Sequence, residues 1–212
     1  MPFLFMRALV LLLFVFSFIS KATAQKLVKK AVLNPHIEYI QVDTKNCYQV
    51  DMKTSFSNEL SVSAVIDGEY KRDIVVHIAE EGKTVLVTTG FQPNFITPND
   101  KLSAHKVISI ALAVTVPQFT DVQLYGNSSN VYIEGAYKRL RVSLADGSCI
   151  LNKVIEDVSV QTQQGAIFAK ASSGVVQAQS SYGRLHLETI PKGGATYRLS
   201  SIEGDIHLEK IE

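Results

Sequence analysis

Two short segments near the C-terminal end carry side chains that could bind a metal ion. The tripeptide His-Leu-Glu occurs twice, at residues 186–188 and at residues 207–209. Imidazole nitrogens and carboxylate oxygens are ligands for zinc and for other divalent transition metals. Side by side, the two segments would form a square of two imidazoles and two carboxylates: His186, Glu188, His207 and Glu209. A duplicated repeat explains the same pattern without a metal, so the sequence predicts no cofactor and leaves these four residues as metal candidates.

A second set of side chains could bind a ligand through an apolar and aromatic surface. Its members recur at equivalent positions along the C-terminal half and are Tyr132, Ile150, Phe168, His186 and His207. An exposed apolar column of this kind is typical of a binding surface for a glycan or a protein partner. Two alternatives stay open, because the N-terminal region could fold back over the column or the column could be an ordinary stacking ladder.

A repeat from Val122 to Leu208 would position these residues. An 18-residue unit occurs three times and is followed by a longer fourth unit, with an insertion at Pro191 to Gly194, and by a fifth unit. Each unit has two apolar pairs in which the members are two positions apart, which indicates two short strands with one buried face. A glycine recurs between the two strands in the last four units, at Gly147, Gly165, Gly183 and Gly204. Because glycine adopts positive φ without strain, this position is predicted to be a turn.

Strands this short cannot bury a face alone, so the repeat predicts that successive units stack. The predicted fold class is all-β: a β-solenoid, similar to a parallel β-helix, of about five coils. The left-handed hexapeptide helix has a similar repeat length but needs an apolar residue at every sixth position, and the hand of the solenoid stays open. Stacking in chain order would place Arg184 beside Asp205 and Lys170 beside Glu188. It would also make the charged fifth unit a solubilising cap.

An irregular β region without an 18-residue period is predicted before the repeat. Its strands are Ile37 to Thr44, Cys47 to Thr54, Leu60 to Asp67, Asp73 to Ala79 and Thr84 to Thr89. This region either winds into the solenoid or covers its first coil. The segment from Phe91 to Lys106 is predicted to be a loop, and Val107 to Val116 a strand that joins the two halves. We therefore expect an N-terminal β region and loop over residues 25–106 and solenoid repeats over 107–212, within one continuous domain over 37–212.

Residues 1–24 have the pattern of a secretory signal peptide. Arg7 precedes an apolar run from Ala8 to Ile19 that only Ser17 interrupts, and residues 22–24 form a small-x-small cleavage site. The run is too short to span a bilayer as a helix, so we expect a mature chain without a transmembrane span that is exported to the periplasm, the cell surface or the medium. An uncleaved anchor is the alternative. In an oxidising compartment Cys47 and Cys149 could pair, or Cys149 could be a small buried thiol.

Charge and motifs weigh against several classes of function. The formal net charge is +1 without a run of lysine or arginine, which is not the pattern of a nucleic-acid-binding protein. The sequence has no G-x-S-x-G, H-E-x-x-H, phosphate-binding glycine loop or EF-hand loop. We therefore predict no catalytic residues and no enzymatic activity. A small polysaccharide-active enzyme is the least favoured alternative, because the outward carboxylates are scattered or paired.

The repeat units resemble a known family of bacterial proteins. The segments LRVSLADGSCIL, VSVQTQQGAIFA and YRLSSIEGDIHLEKI, preceded by NDKLSAHKVISIALAVTVP, are similar to the bacterial putative-adhesin family. That family includes the head GIN domain of autotransporter-type adhesins, and the similarity is to its members in Bacteroidota. The resemblance covers residues 37–212 and provides no catalytic residues. It implies a non-enzymatic interaction module of the cell envelope or surface, with a periplasmic structural or sensing protein as the alternative.

Overall fold

The computed structural model describes residues 24–95 and 108–211, and in these ranges the chain is all-β. Residues 1–23 of the predicted signal peptide, and residues 96–106 of the predicted loop, lie outside the described residues. Within the described ranges, no helix has the length and apolar character that crossing a membrane requires.

The described residues form fifteen strands. The N-terminal region contributes β1 Gln25–Val32, β2 Tyr39–Asp43, β3 Cys47–Ser55, β4 Glu59–Gly68, β5 Ile74–Glu81, β6 Thr84–Phe91 and β7 Ile108–Pro117. The repeat contributes β8 Asp121–Ser128, β9 Asn130–Asp146, β10 Cys149–Thr162, β11 Ile167–Ala171, β12 Val175–Ser180, β13 Leu185–Leu187, β14 Thr196–Ser201 and β15 Ile206–Lys210. The six strands predicted before the repeat are confirmed as β2 to β7. Strand β1 was not predicted, because its lysines interrupt the apolar alternation and most of its side chains are exposed.

Two ladders of parallel strands run through the chain. In ladder A the strands follow the order β7, β3, β9, β10, β11, β15, β13. In ladder B the order is β6, β2, β8, β9, β10, β14, β12. Strands β9 and β10 belong to both ladders, because each bends near its middle, where Gly135 and Lys153 have positive φ. Antiparallel strands β4, β1 and β5 extend one end of the ladders.

The predicted 18-residue register is confirmed for the first three units. In ladder A, Cys149 pairs with Val131 on one side and with Ile167 on the other. All three side chains are fully buried, as the apolar column requires. Both ladders continue into the N-terminal region, where Val50 pairs with Val131 and Ile40 pairs with Val122. The N-terminal β region therefore continues the stack and then ends it with antiparallel strands.

The predicted stacking of the last two units in chain order is wrong. Ile167 pairs with Ile206, and Ile206 pairs in turn with Leu185, so the fifth unit lies between the third and the fourth. Ladder B has the same order, because β14 lies between β10 and β12. As a result Leu185 and Leu187, an apolar pair of the fourth unit and so predicted to lie on a buried face, are each 45% exposed.

Side-chain size gives a physical reason for this order. In ladder B the fifth unit offers Tyr197 and Leu199 to the core, whereas the fourth offers only Val176 and Ala178. An inner strand is covered on both sides, so larger apolar side chains bury more area there. The hydroxyl of Tyr197 also donates a hydrogen bond of 2.5 Å to the carbonyl oxygen of Val154.

The same rearrangement corrects the predicted charged cap and one predicted ion pair. Lys170 pairs with Glu209 at 2.8 Å instead of with Glu188. The backbone N–H of Arg184 donates a hydrogen bond of 2.7 Å to Asp205, so these two residues are neighbours as predicted. The charged fifth unit lies inside the stack, and the terminal strand of ladder B is β12, which has no charged residue.

The four recurring glycines, Gly147, Gly165, Gly183 and Gly204, are required because neighbouring turns pack closely. The predicted reason, a positive φ at each of them, is wrong for three of the four. Only Gly147 has a positive φ, of 88°. A Cβ at Gly165 would collide with the carbonyl oxygen of Gly147, one at Gly204 with that of Gly165, and one at Gly183 with that of Gly204. These contacts follow the order 147, 165, 204, 183, in agreement with the strand pairing.

Both cysteines are free thiols in the core. Cys149 takes the place of a small apolar side chain in ladder A, so the alternative of a disulfide with Cys47 is wrong. Burial raises the pKa of Cys149 to about 12 and that of Cys47 to about 11. Since the thiolate is the reactive form, neither side chain has the character of a nucleophile or a metal ligand.

Candidate functional site

The five side chains predicted to form an outward column do so on the outer face of ladder A. Successive strands present Tyr132, Ile150, Phe168, His207 and His186, in that order. We call these five residues the outer stripe. The two histidines are exchanged relative to the prediction, because the fifth unit lies inside the fourth.

The rings of the outer stripe stack because their strands are parallel and in register. Adjacent strands lie about 4.8 Å apart, so equivalent side chains in the same rotamer come into contact. The ring of His207 lies 4.8 Å from that of Phe168 and 4.6 Å from that of His186, centroid to centroid. The angles between the ring planes are 12° and 10°. This stacking holds His207 in place and leaves His186 exposed at the end of the row.

At the other end of the outer stripe, Tyr132 borders a depression of about 430 Å³. The tyrosine is 41% exposed, so the described N-terminal residues do not cover it. Hydrogen-bonding groups also line the depression, and they include Asp51, Lys53, Glu134, Asn152 and Lys170. An exposed ring with polar neighbours can stack on the apolar face of a sugar while the neighbours bind its hydroxyl groups.

At the histidine end, three ligand atoms converge. One atom from each of His186, His207 and Asp205 lies within 4.8 Å of the other two. Asp205 was not among the predicted metal candidates, although it lies two residues before His207 and so on the same face of the chain. Its Oδ1 accepts the backbone hydrogen bond from Arg184, which fixes the carboxylate beside β13.

The two glutamates of the predicted square have other partners. Glu209 forms the ion pair with Lys170, and this hydrogen bond and charge lower the pKa of Glu209. Glu188 accepts a hydrogen bond of 2.7 Å from the backbone N–H of Lys210. The candidate metal site is therefore a triad of two histidines and an aspartate.

Two imidazoles and a carboxylate are a ligand set for zinc, with a fourth position open to solvent. In a tetrahedral site with Zn–N bonds of about 2.0 Å the nitrogens lie about 3.3 Å apart. The two stacked rings would have to tilt towards each other at the metal, which the exposed position of His186 permits.

Zinc binding can be tested by thermal stability. We expect Zn²⁺ at about 100 times its dissociation constant to stabilise the wild-type chain by about 2.7 kcal/mol. The variant His207→Ala should lose this response, because it removes the central ligand. His77→Ala removes an exposed histidine on β5 and should respond like the wild type. A melting temperature of the wild type that zinc leaves unchanged would exclude the metal site.

A larger depression, of about 820 Å³, lies on the outer face of ladder B. Amides and hydroxyls line it, among them Gln41, Asn127, Ser143, Gln161 and Ser200. Sequence reasoning missed this feature, because it combines strand positions with turn residues that share no single column. The exposed ring at its border is Tyr125, whose hydroxyl donates a hydrogen bond of 2.8 Å to Gln123. The depression therefore resembles a solvated polar face more than a platform for stacking.

Comparisons with known proteins show a shared fold. No protein-family model matches the sequence, and no curated protein is significantly similar to it. A solved structure described as a putative cell adhesion protein from Clostridium sporogenes has 11% identity and a TM-score of 0.58, over 88% of this chain and 100% of that chain. At this identity the match shows a similar fold alone.

Two further solved structures are described as putative adhesins. The one from Bacteroides fragilis has 10% identity and a TM-score of 0.37, over 90% of this chain and 99% of that one. The one from Parabacteroides merdae has 12% identity and a TM-score of 0.27, over 89% and 97%. TM-scores this low support no conclusion about the fold.

Proposed function

We propose that the chain is an exported, non-enzymatic binding module of the adhesin type, which acts at the cell surface or in the cell envelope. The signal-like N-terminal segment supports export. The shared fold with a protein described as a putative cell adhesion protein supports the adhesin type, as does the resemblance to the head GIN family. In this proposal the two ladders are the faces of a β-solenoid. Among the described residues each ladder has five strands from the repeat, one for each predicted coil, and two further strands from the N-terminal region.

The outer stripe is the observation that carries the proposal. It is a row of apolar and ring side chains on regular strands, with stacked rings at one end and an exposed tyrosine at the other. Because the strands already hold these side chains in place, little conformational entropy is lost when a ligand binds. A row of this kind suits an extended ligand that lies across several strands.

A glycan fits the Tyr132 end of the outer stripe better than an apolar ligand does. Sugar rings have an apolar face for stacking and a rim of hydroxyl groups for hydrogen bonds. Asn152 supplies an amide that can both donate and accept hydrogen bonds, and Asp51 and Lys170 supply charged groups that line the same depression. A protein partner at the same surface is the alternative.

The engagement of nearby carboxylates supports a non-enzymatic function. A glycoside hydrolase needs two carboxyl groups on either side of the bond that is cleaved, one of them as an acid. Near the outer stripe, Glu134 is paired with Lys53 at 3.7 Å and Glu209 with Lys170 at 2.8 Å. These carboxylates are therefore held as partners of lysines.

A glycan array would test the binding surface. We expect Tyr132→Ala and Phe168→Ala to weaken binding of the glycans that the wild type retains by about tenfold or more, as loss of a central aromatic contact does. Tyr125→Ala is a matched control, because Tyr125 on ladder B is 43% exposed and Tyr132 is 41% exposed. The control should bind like the wild type. Equal binding by Tyr132→Ala, Phe168→Ala and the wild type would refute a role for the outer stripe.

Location separates the surface protein from the periplasmic alternative. An antibody against the folded chain should label intact cells if the chain lies at the surface. Labelling that appears only after the outer membrane is opened would favour the periplasmic structural or sensing protein.

A further inference from the structure

Strands β12 and β13 leave one end of the stack uncovered. Among the described residues, β12 pairs only with β14 and β13 only with β15, so each presents unpaired backbone groups on its other side. Leu185 and Leu187 are in register with Ile206 and Leu208, which are 0% and 2% exposed. The same inward position is thus buried on β15 and 45% exposed on β13. Exposed sheet edges of this kind pair with another strand unless charges, proline or a covering segment prevent it.

The sequence around β13 is complementary to itself. Residues 184–188 read Arg-Leu-His-Leu-Glu, and all five side chains are exposed. If this segment pairs antiparallel with the same segment of a second copy, centred on His186, then Arg184 lies opposite Glu188 of the second copy. Leu185 then lies opposite Leu187. One interface would therefore contain two arginine–glutamate pairs and two leucine pairs, which are favourable cross-strand combinations.

The opposite end of the stack offers a poorer partner. The outermost strand of the sheet there is β1, which carries Lys26, Lys29 and Lys30. Pairing β13 of one copy with β1 of another would bring Arg184 close to these lysines. Glu188 would then be the single acidic side chain that residues 184–188 offer to them. Charge complementarity thus favours joining two like ends over a head-to-tail chain.

We propose that the chain forms a two-fold symmetric homodimer, in which β13 of each copy pairs antiparallel with β13 of the other. Such an isologous contact closes after two copies. Ladder A then continues across the interface, and Leu185 and Leu187 are covered. Strand β12 has no charged side chain that would oppose the approach of the second copy. The two outer stripes meet end to end at His186, so one dimer presents two copies of the binding surface to a ligand.

Analytical ultracentrifugation with charge exchange tests the dimer. The wild type should sediment as a dimer that dissociates on dilution. Arg184→Glu and Glu188→Arg should each raise the dimer dissociation constant by about tenfold or more, because each variant turns two attractive pairs into two repulsions. The double variant should regain most of the affinity, because it restores complementary charges in exchanged positions. Arg141→Glu makes the same charge change at an exposed position of β9 and should leave the dimer unchanged.

Three results would overturn the proposal. They are a wild type that stays monomeric up to the highest soluble concentration, oligomers that grow beyond two copies, and a double variant no better than the single ones. Circular dichroism of each variant should match the wild type, since the exchanged side chains are exposed. These outcomes do not depend on whether the outer stripe binds a glycan.

Discussion

Gly165→Ala is expected to lower the free energy of unfolding by about 3 kcal/mol, at the upper end of what overpacking costs. The added Cβ would collide with the carbonyl oxygen of Gly147 in the neighbouring turn. That oxygen belongs to the backbone, so the collision is relieved only if two successive turns move apart. Because both ladders depend on this separation, the strain extends over several strands. Denaturant unfolding followed by circular dichroism measures the loss.

Gly90→Ala is the matched control for this substitution. A Cβ at Gly90 would meet nothing within 4 Å among the described residues, and Gly90 lies in strand β6 without a positive φ. The free energy of unfolding of Gly90→Ala should stay within about 0.5 kcal/mol of that of the wild type. If Gly165→Ala and Gly90→Ala were equally stable, the close approach of the turns at Gly147 and Gly165 would be contradicted.

Ile206→Ala is expected to cost about 3 kcal/mol, whereas Leu185→Ala should cost less than about 1 kcal/mol. Ile206 is fully buried between β11 and β13, and its truncation leaves a cavity. Leu185 is 45% exposed on the terminal strand, so its truncation removes a side chain that water already contacts. Unfolding should be measured at concentrations low enough to keep the chain monomeric.

This pair of variants distinguishes the observed order of the units from the order along the chain. With stacking in chain order, Leu185 would lie between two neighbours and Ile206 would lie at the end. The ranking of the two losses would then be reversed. A larger loss for Leu185→Ala than for Ile206→Ala would therefore contradict the insertion of the fifth unit.

The sequence predicts which residues share a column but not the order of the units within it. Val131, Cys149 and Ile167 stack as their spacing indicates. The spacing makes the fourth and fifth units equivalent, because either can pair with the third in the same register. The two units differ in the apolar volume that they offer to ladder B, where Tyr197 is larger than Val176. Periodicity contains no information about that comparison.

For the N-terminal strands, too, the sequence predicts the strands but not which strands pair. Their alternating apolar residues predict the strands themselves, but the parallel pairing of Ile40 with Val122 joins segments that are distant in the sequence and share no repeat. In the candidate site, the outer stripe could be predicted because its members occupy equivalent positions. Asp205 was missed although the predicted stacking already placed the fourth and fifth units side by side, because the candidates were taken from the duplicated His-Leu-Glu segments alone.

The insertion of the fifth unit affects the order in which the native fold can form. The whole of the fourth unit lies between Ile167 and its partner Ile206 along the chain. The fourth unit is therefore synthesised before Ile206. Until residues 196–210 have emerged, whether from the ribosome or from an export channel, neither β12 nor β13 has the neighbour with which it pairs. A chain that emerges from its N-terminal end can therefore fold through its first three units before the last two can join them. The last two units become ordered together, in a single late step of high contact order.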